Sequence, residues 1–340
     1  MELMPLNQVT QEIKALMIEA RTSTALEINK QLLKTYWNIG RIIVEREQDG
    51  NLRAQYGKRL LAELAKELTR ELGRGFSKSN LFNMRSFYAA YSNFPDASGK
   101  LTWSHYCELL SISDQSARVF YEKECANADW SVRELKRQVN TSLFERLLLS
   151  DGKANKETVL ALSREGIVLN EPQDMIKDPY VFEFLGAREG KPILERDLEA
   201  KLIRHIEDFL LELGRGFMFV GSQQRVTLGN RHYYVDMVFY NKILKAYVLI
   251  DLKIGQLQPE HIGQMNMYLN YYSTEVNDEI DQRPIGIVLC TDKHEVMAEF
   301  ALGGLENTIF ASRYTYYIPD KEQLIYEVKA LLESETSEND

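Results

Sequence analysis

Apolar positions in the first 150 residues recur at helical steps of three and four. Ile13, Leu16, Met17 and Ala20, then Leu32, Leu33, Tyr36, Ile39 and Ile43, predict one long helix or two, ending at Asp49-Gly50-Asn51. Leu60, Leu61, Leu64, Leu68 and Leu72 predict a helix over 54–72 that stops at Gly73. Ser77 is a good N-cap for a third helix running through Leu81, Met84, Phe87 and Tyr91. Further helices are expected near 102–111, 114–127 and 131–149, with Asn93–Gly99 as the clearest loop.

Residues 151–194 mix short apolar runs with Pro172, Pro179 and Pro192, as expected of a connector packed on a second domain. The period changes after 195. A helix over 195–213, ending at Gly214, precedes strand-like runs at 217–228, 232–240 and 244–252. Gly229-Asn230 and Asn241-Lys242 supply the turns between them. A helix at 259–273, a strand at 284–291, a short helix near 293–302, a strand near 308–317 and a helix at 320–333 complete the pattern. An all-helical domain over 1–150 is therefore expected, in which a helix-turn-helix-like arrangement is one option. An α/β domain with a mixed sheet follows over 195–333. The string Glu-Leu-Gly-Arg-Gly-Phe occurs at Glu71–Phe76 and again at Glu212–Phe217. Glycine just past a helix end is a common cap, so the repeat needs no duplication, and Arg74 and Arg215 are expected on the surface.

Composition changes this picture little. No run approaches the ~18 apolar residues of a membrane span, and the start Met1-Glu2-Leu3-Met4-Pro5 lacks the pattern of a secretory signal. Three scattered cysteines fit a reducing cytoplasm and argue against a disulfide framework or a cysteine-based zinc site. No His pair has metal-ligand spacing, and no phosphate-cradling Gly-rich loop is present.

Charge says more. The net value is −9, but residues 1–150 are slightly basic and the rest strongly acidic. Within Arg53–Arg85 eight basic residues face three acidic ones. Lys78, Asn80 and Arg85 lie on the polar positions of the helix begun at Ser77, the residue types that contact phosphates and read bases in a major groove. A solvated helix that only packs on its neighbours is the alternative. The acidic end at 334–340 is expected to be a disordered tail.

The residues able to do chemistry lie in the second half. Asp236 follows Tyr-Tyr-Val on one strand, and Asp251 closes the apolar run Ala246–Ile250 on the next, with Lys253 two residues on. The strand period of two puts Asp251 and Lys253 on one face. Paired strands could set Asp236 beside them. Two close carboxylates repel and gain by sharing a divalent cation, for which Mg²⁺ is suited. An Asp251–Lys253 ion pair at a strand end, with Asp236 in solvent, is the plainer alternative.

Residues 178–275 resemble the YhcG-like family of bacterial PD-(D/E)XK nuclease-fold proteins. The resemblance rests on Asp178-Pro-Tyr-Val-Phe-Glu-Phe-Leu185, Leu210-Leu-Glu-Leu-Gly-Arg-Gly-Phe-Met-Phe-Val-Gly221, Tyr234-Val-Asp-Met-Val-Phe-Tyr240 and Gly263-Gln-Met-Asn-Met-Tyr-Leu269. The N-terminal half resembles the same family's helical domain through Trp103-Ser-His-Tyr106 and Trp130-Ser-Val-Arg-Glu-Leu135. The resemblance implies a restriction-endonuclease-like α/β domain and a nuclease using Mg²⁺ or Mn²⁺, with DNA ahead of RNA as substrate. It implies Asp236 and Asp251 as metal-binding acids, Lys253 as the catalytic lysine, Gln264 and Tyr268 as a Gln-x-x-x-Tyr helix motif, and Glu199 as an accessory metal-binding acid. Val235 departs from the motif's proline, and Asp251 stands where glutamate is more usual. A non-catalytic binding or assembly subunit of a defence or mobile-element complex, keeping the same fold, is the rival reading. A symmetric dimer is the default expectation for any homo-oligomer.

Overall fold

In the computed structural model the described residues are 6–49, 54–91, 93–94, 99–150, 156–168, 171–177, 179–186, 194–292, 308–316 and 321–334. The helix expected near 293–302 and the tail beyond Ser334 lie outside them. The chain divides into two compact units, Met1–Lys136 and Arg137–Asp340.

The first unit is helical. Helix α1, Leu6–Asp49, is a single element, and α2, Ala54–Leu72, and α3, Lys78–Ala90, follow it. Ile43, Leu61, Leu81 and Met84 join these three helices in one core. α1 and α3 touch closely at Gly40, where an added Cβ would stand 2.0 Å from the Met84 carbonyl oxygen. Only glycine fits there. Ser77 caps α3, its Oγ accepting from the Asn80 N–H at 3.2 Å. Helices α4, Trp103–Leu109, and α5, Gln115–Ala128, complete the unit, and α6, Val132–Asn140, runs across the division.

The helix expected over 131–149 breaks. Ser142 takes a left-handed φ of 54°, so α6 ends at Asn140 and α7 covers Leu143–Ser150. The first domain was expected to extend to residue 150, yet 137–150 belong to the second unit. The cause is a buried charge cluster. Glu212 is fully buried and accepts from Arg137 and Arg146, each at 3.0 Å. It also accepts from the Val181 N–H at 2.9 Å, while Gln138 donates to the Leu211 carbonyl at 2.9 Å. α8, Lys156–Glu165, is a helix within the stretch read as connector.

The second unit is built on a six-stranded sheet in the order β1-β6-β5-β4-β3-β2. Its strands are β1, Tyr180–Val181; β2, Phe217–Leu228; β3, Arg231–Asn241; β4, Ala246–Gln256; β5, Ile285–Asp292; and β6, Thr308–Thr315. β2, β3 and β4 form an antiparallel meander, and β4, β5, β6 and β1 pair in parallel. The helix expected over 195–213 is two, α9, Glu195–Arg204, and α10, Ile206–Leu213, because His205 leaves helical geometry at φ −109°. Their apolar faces cover one side of the sheet through Leu198, Leu202, Phe209 and Leu213. α11, Pro259–Tyr271, covers the other through Ile262, Met265, Tyr268 and Leu269. Helix Lys321–Ser334 closes the described chain. Among the described residues no helix is long and apolar enough to cross a membrane.

Burial alone would raise the Glu212 carboxyl. Arg146 first, then Lys177, Arg137 and the Val181 N–H, outweigh it and hold the group at about 2. A depressed carboxyl contributes stability above its unfolded value of 4.5, and loses it as pH falls toward about 2. Glu212→Gln takes the countercharge from the buried Arg146 guanidinium and leaves Arg137 with Glu183 alone, at a cost of about 3–5 kcal/mol. Urea unfolding at pH 7 should show that loss in the second unit, and the variant's deficit should shrink as the wild type is taken below pH 4.

Candidate active site

The turn between β3 and β4 sets the site. Buried Asn241 accepts from the N–H groups of Ile243 at 3.0 Å and Leu244 at 3.2 Å, and donates to the Arg215 carbonyl at 3.1 Å. Pairing then runs from Asn241–Ala246 to Met237–Ile250. One step further places Asp236 opposite Asp251. Val248, Ile250 and Leu252 point into the core under α9 and α10, whereas Leu249 faces α11. Asp251 and Lys253 share the Leu249 face.

Asp236 is held at both oxygens. Oδ2 accepts from the Leu252 N–H at 2.8 Å, and Oδ1 from Gln223 Nε2 at 3.2 Å. The same Gln223 nitrogen donates to Glu199 Oε2 at 2.7 Å, linking α9 to the sheet. Lys253 Nζ lies 2.8 Å from Asp251 Oδ2. At that distance the ammonium donates a charge-assisted hydrogen bond to a carboxylate that is almost wholly buried. Glu195 Oε1 accepts from the Ile254 N–H at 2.9 Å, where β4 leaves the core.

The electrostatics follow from burial and crowding. Asp251 is pushed up to about 7, by burial first and by Asp236 second, against the pull of Lys253. Burial works to lower Lys253, but Asp251, Asp236 and Glu195 outweigh it and the ammonium is held above its ordinary range. The arrangement has one cation too few for its carboxylates. A buried Asp251 carboxylate beside a second carboxylate fits a divalent ion that takes one or two carboxylates and fills its other positions with water and phosphate. Among the described residues no group of three His, Cys, Asp or Glu side chains forms a closed metal cage.

Glu199 reaches Asp236 through Gln223 and does not touch Asp251 in any described contact. Tyr268 is buried in the core beneath α11, and its hydroxyl donates to the Tyr234 carbonyl at 2.9 Å while Gln264 Nε2 donates to it. Burial raises the Tyr268 phenol and the Asp251 and Asp236 charges raise it further, so its hydroxyl feels the pair. Gln223 went unnoticed in the sequence. Counting back from the Gly229-Asn230 turn sets it opposite Asp236, which is the signal that could have found it. Of the residues expected to touch nucleic acid, Lys78 is exposed and Arg85 half-buried. Asn80 is engaged within its own unit. Its Oδ1 accepts from Trp103 Nε1 at 2.7 Å and its Nδ2 donates to the Gly75 carbonyl, so this side chain braces the entry to α3 instead of presenting a base-reading edge.

Residues 173–329 match the model of the YhcG PDDEXK nuclease domain, and residues 12–146 that of the DUF1016 N-terminal domain. The Escherichia coli (strain K12) protein called "Putative nuclease YhcG" is 38% identical, over 94% of this chain and 93% of its own. The chain belongs to the YhcG family. Two solved structures overlap it in part. One is a repair endonuclease from Pyrococcus abyssi, 16% identical over 37% of this chain, with a TM-score of 0.26. The other is an EndoMS–dsDNA2 complex, 15% identical over 40% of this chain, also with a TM-score of 0.26. The chain spans about half the length of each, at 49% and 51%. In this YhcG-family chain the nuclease-domain match includes Glu199, Gln223, Asp236, Asp251, Lys253, Gln264 and Tyr268.

A carboxyl raised on folding contributes stability below its unfolded value and loses it as pH rises through its folded value. For Asp251 that window runs from 3.8 to about 7. With divalent ions chelated, Asp251→Asn should raise the thermal midpoint at pH 8, by ~2–4 °C for each kcal/mol relieved. The gain should fade toward pH 4. Mg²⁺ should stabilise the wild type and not the variant.

Proposed function

We propose that this YhcG-family protein is a Mg²⁺- or Mn²⁺-dependent nuclease that hydrolyses phosphodiester bonds in DNA. The observation that carries the reading is the Asp251 carboxylate, buried opposite Asp236 with Lys253 Nζ at 2.8 Å. A purely structural ion pair has no use for a second carboxylate beside it. Asp236 and Asp251 would hold the ion, which when bound supplies Lewis-acid polarisation of the phosphate and a lowered pKa for the attacking water. Asp236 is oriented for this by the Leu252 N–H and the Gln223 amide. Lys253 stays protonated beside Asp251 and offsets charge that builds on the phosphate as the bond breaks. Tyr268 and Gln264 support the strand end at Tyr234, one residue from Val235 and two from Asp236.

Val235 is wholly buried in the core under α11. The strand therefore carries an apolar side chain inward at the position before Asp236 and needs no proline to do so.

Cleavage of single-stranded, duplex and branched DNA, with RNA as a parallel arm, tests the reading across Mg²⁺ and Mn²⁺ concentrations. Asp251→Asn should abolish cleavage at ordinary metal concentrations, with any residue of activity demanding more metal. Lys253→Ala should bind metal yet remain slow at saturation, by about 10²–10³-fold. A wild type that binds no divalent ion and cleaves none of these substrates would leave the non-catalytic alternative.

The helical unit is assigned the task of holding the nucleic-acid backbone. The basic stretch Arg53–Arg85 supports this, with Lys78 exposed at the first position of α3. Affinity should fall steeply with salt as phosphate contacts release counterions. Neutralising Lys78 and Arg85 together should reduce the salt slope by up to about 2 for a duplex. An unchanged slope would move the contact surface off α3.

A further inference from the structure

Gln223 has two unusual properties. It is a non-glycine residue with φ +48° inside a strand, a left-handed conformation that a side chain disfavours and glycine adopts freely. It follows an irregularity in the β2–β3 pairing, where the register shifts between Phe219 and Gly221. A glycine would satisfy that backbone with less strain, so the side chain is the reason to look further. Its single amide nitrogen donates to Glu199 Oε2 at 2.7 Å and to Asp236 Oδ1 at 3.2 Å. Those acceptors belong to different elements, α9 and β3, and no other described hydrogen bond joins these two carboxylates.

We propose that Gln223 is a positioning residue for the nuclease centre, holding Glu199 beside Asp236 so that Glu199 joins the outer shell of the ion-binding carboxylates. The inference rests on the metal-dependent reading above. The physical case is one of repulsion. Glu199 and Asp236 carry like charge, and each raises the cost of ionising the other. Burial raises the Glu199 carboxyl, the Gln223 hydrogen bond lowers it, and Asp236 raises it again. Glu199 is only half-buried, on a helix whose neighbouring Asp197 is exposed. Without the amide between them, its side chain is free to swing outward. Gln223 thus offsets the repulsion with two donated hydrogen bonds from a neutral group. The strained backbone aims that group at both acceptors. Outer-shell partners of this kind commonly govern metal affinity by 10–100-fold.

Gln223→Gly separates this role from a structural one, because it removes the amide and relieves the backbone together. Mn²⁺ binding to the full chain is measured by calorimetry for the wild type, Gln223→Gly, Glu199→Gln and the double variant, with thermal unfolding alongside. The expected result is an unfolding midpoint unchanged or raised in Gln223→Gly, with Mn²⁺ affinity weakened by roughly tenfold or more. The double variant should lose less than the sum of the two single losses, since Gln223 acts in large part through Glu199. Wild-type affinity in Gln223→Gly, or additive losses in the double variant, would overturn the proposal while leaving the nuclease reading standing. A wild type that binds no Mn²⁺ would sink both.

Discussion

The pairing register of β2, β3 and β4 is the constraint on which the site depends. Side chains alternate along a strand, so a slip of one residue would turn Asp236 toward the α9–α10 core and Met237 toward the α11 face. Asn241 prevents the slip on one side by satisfying the backbone of the β3–β4 turn. On the other side the irregularity between Phe219 and Gly221 adjusts β2 to its partner. Gln223, Asp236 and Asp251 then lie in one row across three strands. The two carboxylate charges are a consequence the fold tolerates, with Lys253, the Leu252 N–H and Gln223 as the described counterweights.

That row lies at the surface of a sheet covered on both faces, and the covering elements contribute to it. α9 is anchored by Leu198 and Leu202 and brings Glu195 and Glu199 to the ends of the strands. α11 is anchored by Met265 and Leu269 and brings Tyr268 under Tyr234. Gly286 on β5 makes the second packing close, since an added Cβ would stand 2.5 Å from Met265 Cγ. Apolar packing thereby determines which polar groups can meet, and the polar groups contribute little to holding the layers together.

The Glu212 cluster has the opposite character. It is distant in function from the carboxylate row and serves the frame. One buried carboxylate gathers Arg137, Arg146 and the Val181 N–H, so helices α6 and α7 and the short strand β1 are tied to α10. The two copies of Glu-Leu-Gly-Arg-Gly-Phe show how little a local string says of such a role. All four of their glycines have positive φ, and Gly73 and Gly214 end helices as capping predicts. Glu71 is exposed and Glu212 is wholly buried, because only the second copy lies beside Arg137 and Arg146.

Periodicity was sufficient for most elements, since apolar spacing is a direct record of which face is buried. α2, β2 and the turns at Gly229-Asn230 and Asn241-Lys242 lie where the pattern puts them. The same turns, counted in pairs, bring Asp236 opposite Asp251, and the strand period puts Lys253 on the same face. Breaks at Ser142 and His205 were not legible, because each depends on packing partners that a local pattern does not contain. The destination of 137–150 was decided by a carboxylate 66 residues beyond Arg146, and the bracing role of Asn80 by Trp103. Sequence alone determined which residues could carry charge into the sheet. Tertiary structure decided which of those charges are buried and crowded together, because desolvation and proximity are properties of the folded chain.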